Sequence, residues 1–113
     1  MMNQNYMKLP LISIVMSVYN AEEYLTESID SILTQSFKDF EFIIINDGSI
    51  DGSLEVIKLY TDERIRLISQ DNMGVAKASN NGIKIAKGKY IAVMDADDIS
   101  MPYRLQLQYD FLE

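Results

Sequence analysis

The chain has 113 residues, 48% hydrophobic and 24% charged, with 10 basic against 17 acidic side chains and a formal net charge of -7. That size supports one compact core and excludes two independent domains, while the acidic balance excludes a nucleic-acid partner, because affinity for a phosphate backbone rests on clustered Lys and Arg. The sequence holds no Cys and no His, so disulfides, zinc fingers, thiol nucleophiles and imidazole bases drop out together, and carboxylates, hydroxyls, lysines or a bound ion are left to carry any chemistry.

Residues 1–10 read as an N-terminal tail and 11–113 as a single domain. The tail is polar over Met1–Met7. The apolar stretch Leu9–Met16 is broken by Pro10 and Ser13, too short to span a bilayer, and without the basic flank and small-residue cleavage site of a secretory signal. A cytoplasmic location is the expectation.

The pattern then alternates between buried runs and helical periods. Leu11–Met16 reads as a strand buried on both faces. From Asn20 the period switches to a helix with Leu25, Ile29, Ile32 and Leu33 on one side, Asn20 as its N-cap and Glu23 three positions on. Phe40–Ile45 is a second strand, closed by the turn residues Asn46-Asp47-Gly48-Ser49 and Asp51-Gly52-Ser53, and a short helix with Leu54 and Ile57 follows. Ile65–Ile68 is a weaker third strand. Val75, Ala78, Ser79, Gly82, Ile83 and Ala86 recur at helical spacing, with Lys77, Asn81, Lys84 and Lys87 on the opposite face, which describes a small-residue helix lying close on a sheet. Tyr90–Met94 is the fourth strand, and Pro102 suits the start of a last helix. Strand and helix alternate with short connections, so the strands are expected to be parallel, the crossovers right-handed, and the fold class α/β, a three-layer α/β/α Rossmann-like arrangement.

Such sheets bind ligands outside the carboxyl ends of their strands. Three polar clusters converge there: Ser17-Val18-Tyr19-Asn20, Asn46-Asp47-Gly48-Ser49 and Asp95-Ala96-Asp97-Asp98. Three carboxylates within four residues repel one another unless protonated or neutralised, and Mg2+ or Mn2+ is an economical neutraliser; the alternative is a solvated acidic turn in which Asp98 or Ser100 caps the next helix. Asp47 stands where nucleotide-binding α/β folds engage a ribose or base, or else belongs to an Asp-Gly turn followed by an Asp51 helix cap. The Tyr19 ring can stack on a base or pack at the rim of the core. Lys77 can reach a diphosphate or share a solvated face with Lys84 and Lys87. Competing motifs fail. A calcium loop begun at Asp47 has Lys58 at its twelfth position, where a bidentate Glu belongs. Gly82–Tyr90 is spaced wrongly for a phosphate loop and has Tyr90 in place of Ser or Thr. The first strand-to-helix turn has no Gly, which excludes the dehydrogenase type of dinucleotide site.

Ser13–Asn20, Ser31–Phe37, Phe40–Ser49, Asn72–Ala76 and Met94–Asp98 together resemble the inverting family 2 glycosyltransferases, in that family's order and at its spacing. The resemblance implies the N-terminal, nucleotide-sugar-binding half of a GT-A fold, with a mostly parallel sheet in the strand order 3-2-1-4. It implies that Ser17 and Tyr19 flank the nucleotide base, that Asp47 hydrogen-bonds it, that Asp95 and Ala96 lie by the ribose and diphosphate, and that Asp97, the second acid of a D-x-D pattern, holds Mn2+ or Mg2+. The partners implied are a nucleoside-diphosphate sugar, UDP-linked, and a glycan, lipid-linked or other hydroxyl acceptor, in glycan or cell-surface polysaccharide synthesis. Two positions depart from the pattern: Asn46 stands where the family often has an acid, and Ser79 where it often has an Arg, so Lys77 is the substitute contact for the diphosphate. The family's catalytic base is expected beyond residue 113, so no catalytic residue is assigned here, and the chain alone is expected to bind donor without turnover. Membrane association of a longer protein at the inner face of the membrane, and self-association of the fragment, are further expectations. A receiver-like Mg2+-binding signalling module is the alternative.

Overall fold

The computed structural model describes residues 9–113; apart from Leu9 and Pro10, the expected tail lies outside the described residues. The elements are β1 (Ile12–Val18), α1 (Glu22–Leu33), β2 (Phe40–Asp47), α2 (Ser53–Lys58), β3 (Ile65–Gln70), α3 (Val75–Ile85), β4 (Tyr90–Asp95) and α4 (Arg104–Leu112). All strand pairs are parallel and the order is β3-β2-β1-β4. A receiver-type sheet seats strand 1 between strands 2 and 3. Here β4 holds that place, and the signalling-module alternative loses its architecture.

The strand period of two divides the core into two layers. Ile12, Ile14, Met16 and Val18 point to one face with Phe42 and Ile44, under Leu25, Ile29 and Ile32 of α1, joined by Ile57 of α2 and Leu105 of α4. Val15, Ile43 and Ile45 point to the other, against Ala78 of α3. Each such fully buried aliphatic side chain contributes about 1.5–3 kcal/mol. Gly82 lets α3 lie directly on β1, since a Cβ there would stand 2.5 Å from Val15 Cγ1. Because α3 packs on β1 and β2, Ile91 and Val93 of the edge strand β4 are left half-exposed on that face.

β2 is buried at every position, including Glu41, and a buried carboxylate needs partners. Glu41 accepts hydrogen bonds from Ser13 Oγ, from the Lys87 backbone N–H at 2.7 Å and from Arg66 Nη1 at 3.0 Å. These bonds fasten the α3–β4 connection to the amino end of the sheet.

Three local expectations are corrected. β1 and β2 each run two residues further than their apolar runs, to Val18 and Asp47, because the parallel ladders continue through Val18↔Asn46 and Asp47↔Gln70. Asn20 is not the cap of α1. It sits at φ 50, and its side chain turns away to the loop after β2. Neither Asp98 nor Ser100 caps α4, which begins at Arg104 after a turn containing Pro102.

Candidate functional site

The register sets the ends of the three adjacent strands level, with Ser17 opposite Asp95 and Val18 opposite Asn46. Beyond them opens a cavity of about 300 Å³ whose lining includes Ser17, Tyr19, Asp47, Asp95, Ala96 and Asp97. That volume is at the lower end of the range for small-molecule sites. Tyr19 is half-exposed at the rim, as required for a ring that stacks on a ligand, whereas Asp47 is 2% exposed at the base.

The rim is one cross-linked unit built from two loops. Asn20 adopts the left-handed backbone region that Asn tolerates better than most residues, and its Oδ1 accepts from the Ile50 and Asp51 N–H groups at 2.9 and 3.4 Å. In return, the Asn20 N–H donates to Ser49 Oγ at 3.0 Å, the Ala21 N–H to Ser53 Oγ at 2.9 Å and the Glu22 N–H to Asp51 Oδ2 at 3.3 Å. The first N–H groups of α1 lack intrahelical partners, like those of any helix, and the β2–α2 loop supplies them. The N-cap position of α2 is Gly52 rather than Asp51, but Asp51, one residue before it, accepts from the Ser53 N–H at 2.9 Å and so serves the first turns of both α2 and α1.

Asp47 anchors the segment that leads into α3. Its Oδ1 accepts from Gln70 Nε2 at 3.0 Å and Met73 N–H at 2.8 Å; its Oδ2 accepts from Gly74 N–H at 3.0 Å and Asn72 Nδ2 at 3.4 Å. Burial pushes this carboxyl up, but the donors from Gln70, Met73 and Gly74 outweigh it and hold the group below the usual carboxylate range. The group is therefore an anion whose lone pairs are largely engaged by its own chain.

At the carboxyl end of β4 and in the turn beyond it, Asp95, Asp97 and Asp98 are all exposed and each presents an oxygen within 4.8 Å of the others. The Asp95 N–H donates to Asp98 Oδ2 at 3.1 Å, which folds the turn back on itself. Oxygen donors alone, exposed and mutually repelling, suit a hard divalent cation that keeps several waters. Among the described residues, the cavity lining holds three aspartates and no lysine or arginine, so a diphosphate seated there requires added positive charge.

Lys77 is not brought into this cavity. It lines a separate depression on α3 with Met73, Asn80, Asn81 and Lys84. Lys84 and Lys87 are exposed, as on a solvated face. Conversely, Tyr24, which was not singled out in the sequence, and Val75, whose spacing placed it on the sheet-facing stripe of α3, both line the cavity; Val75 is exposed, and of that stripe only Ala78 and Gly82 are buried. Both are large, exposed and placed in the first turn of a helix that follows a strand, a combination that is a usable signal.

Residues 13–113 match the profile of Glycosyl transferase family 2. An uncharacterised glycosyltransferase of Methanocaldococcus jannaschii, MJ1057, is 47% identical over 109 residues, covering 92% of this chain and 38% of that protein. Among solved structures, S. aureus TarS 1–349 in complex with UDP-GlcNAc superimposes with a TM-score of 0.85 at 27% identity, covering 89% of this chain and 30% of that one. The mannosyltransferase PcManGT of Pyrobaculum calidifontis, in complex with GDP-Man and Mn2+, gives 0.76 at 23% identity, over 88% of this chain and 31% of that one. The chain thus spans about a third of the length of such proteins.

Proposed function

The chain belongs to glycosyl transferase family 2, and from that premise we propose that its cavity binds the nucleoside diphosphate of a sugar donor, UDP-linked, together with Mn2+ or Mg2+. The observation that carries this reading is the lining itself: an aromatic rim at Tyr19, acids at both ends, and, among the described residues, no basic side chain to meet a diphosphate. Ser17 and Tyr19 flank the base, Asp47 closes the base end, Asp95 and Ala96 lie along the ribose and diphosphate, and Asp97 is the cation ligand, with Asp95 and Asp98 close enough to share it. The UDP-GlcNAc held by TarS supports the choice of nucleotide. Lys77 serves the diphosphate only if its flexible side chain swings over from its own depression.

The reaction proposed for the full protein is transfer of the sugar with inversion. An acceptor hydroxyl oxygen bonds to the anomeric carbon as the bond to the diphosphate oxygen breaks, the electron pair leaves with the nucleoside diphosphate, and the hydroxyl proton passes to a carboxylate base. When bound, the cation supplies positive charge where the leaving diphosphate gains negative charge. The residues of this chain orient the donor for that step. The base and the acceptor groove are expected outside residues 1–113.

Thermal unfolding tests this reading. A ligand at a hundredfold excess over its Kd stabilises the folded state by about 2.7 kcal/mol, so UDP with Mn2+ should raise the midpoint by several degrees, and Asp97→Ala should abolish the metal-dependent part. A midpoint unmoved by millimolar UDP or GDP with either cation rejects the proposal.

A further inference from the structure

Helix α1 and the residues just after it carry three polar side chains on one stripe, Ser28, Ser31 and Gln35, at i, i+3 and i+7. Ser28 and Gln35 are wholly buried. A buried polar stripe on a helix otherwise packed by Leu25, Ile29 and Ile32 is costly unless every group finds a partner, and each has a partner on the loop that follows β4. Ser28 Oγ donates to the Ala96 carbonyl, in the middle of the acidic turn. Ser31 Oγ accepts from the Ser100 N–H at 3.0 Å. Gln35 Nε2 donates to the Met101 carbonyl at 2.6 Å, while its Oε1 accepts from the Leu105 N–H at 3.0 Å and so caps α4 from outside. The Ser36 N–H adds a bond to the Pro102 carbonyl at 2.9 Å. The acids themselves are exposed, so their spacing follows the backbone that carries them.

We propose that Ser28, Ser31 and Gln35 are positioning residues that hold the 96–105 segment so that Asp95, Asp97 and Asp98 present their oxygens together to a divalent cation, an inference that rests on the donor-site reading above. The stripe touches neither cation nor nucleotide. Its effect is preorganisation: without it, the turn must be ordered at the moment the cation binds, and affinity falls by the fraction of time spent in the competent arrangement. A general packing role would weaken nucleotide binding equally with and without metal. A positioning role weakens chiefly the metal-dependent part, most selectively at Gln35, whose bonds lie at Met101 and Leu105 rather than at Ala96.

The test uses the whole chain with Gln35→Met, which keeps the volume and removes the amide bonds, and with Ser28→Ala and Ser31→Ala as milder changes should the first fail to fold. Ile57→Val, in the core beneath α2, controls for loss of stability alone. Hydrogen exchange without ligand should be faster at the Ser100 amide in Ser31→Ala and at the Leu105 amide in Gln35→Met, and unchanged there in the control. Bound Mn2+, read by electron paramagnetic resonance in the presence of UDP, should weaken about tenfold in Gln35→Met, with UDP affinity in EDTA unchanged. Unaltered Mn2+ affinity in all three variants, or equal losses with and without metal, overturns the positioning role while leaving the donor site standing. Failure of the unaltered chain to bind Mn2+ with UDP overturns both.

Discussion

Asp47 and Asp97 line the same cavity but differ in what their removal exposes. The Asp47 carboxylate takes two backbone and two side-chain donors from residues 70–74. Asp47→Ala removes the charged acceptor of the Met73 and Gly74 N–H groups, and because Met73 and Gly74 are themselves exposed, water can take its place, so the loss is that of hydrogen bonds to a charged group rather than of buried donors left unpaired. We expect a loss of about 1.5–2 kcal/mol in urea unfolding, with nucleotide binding falling as the loop into α3 loosens. Asp97 is exposed, at the solvent side of its turn, so Asp97→Ala should change stability by no more than about 0.5 kcal/mol while removing the metal-dependent part of UDP binding. Equal stability losses in the two variants would contradict this division between the residue that frames the pocket and the one that holds the ion.

At the level of elements, α3 turns on Gly82. Replacing Gly by Ala inside a helix gains about 1 kcal/mol of propensity, yet here the new methyl meets Val15 Cγ1 at 2.5 Å, with Ile45 Cγ1 at 3.4 Å behind it. Val15 is β-branched, wholly buried and in a central strand, so it has little freedom to yield. Overpacking costs about 1–3 kcal/mol and should win, leaving Gly82→Ala less stable by about 1 kcal/mol, with part of the loss recovered in the Val15→Ala background as a coupling in a double-mutant cycle. The closeness of this helix was legible from its run of small residues, as were all eight elements, because periodicity reports which face is buried. The cap of α1 was not. Asn20 has the right residue type, but its partners lie 29–31 positions away, and nothing local distinguishes a side chain that caps its own helix from one that braces a neighbouring loop. The same holds for Ser28, Ser31 and Gln35, whose spacing is plain in the sequence but whose partners lie 66–70 positions on. The cavity was legible as a place, from the ends of the strands, more than as a residue set: Tyr24 was missed, Val75 was read as facing the sheet, and Lys77 lines a neighbouring depression.

For the whole molecule, the response to acid is set by two opposing trends. At neutral pH the chain carries a net charge of -7, so partial protonation on moving toward its pI of 4.5 relieves self-repulsion. Against this, several carboxyls are held below their ordinary values in the folded state. At Glu41, burial raises the pKa, but the bonds from Ser13, the Lys87 N–H and Arg66 outweigh it; Asp47 is lowered against burial by Gln70, Met73 and Gly74, and Asp62 chiefly by its bond from Arg64. A depressed carboxyl contributes stability that is fully present above its unfolded pKa and is lost as pH falls through its folded one. The ordinary values are 4.5 for Glu and 3.8 for Asp, so the loss begins near these and deepens below them, at up to about 1.4 kcal/mol per pH unit for each proton taken up on unfolding. Urea midpoints should therefore hold or rise slightly from pH 7 to about 5 and then fall steeply below about 4. Glu41→Gln should start from a lower midpoint and show a shallower acid limb, because it removes one of the protons linked to unfolding. An acid limb as steep in Glu41→Gln as in the parent chain would mean that the clasp at the amino end of the sheet is not among the groups whose titration unfolds the protein.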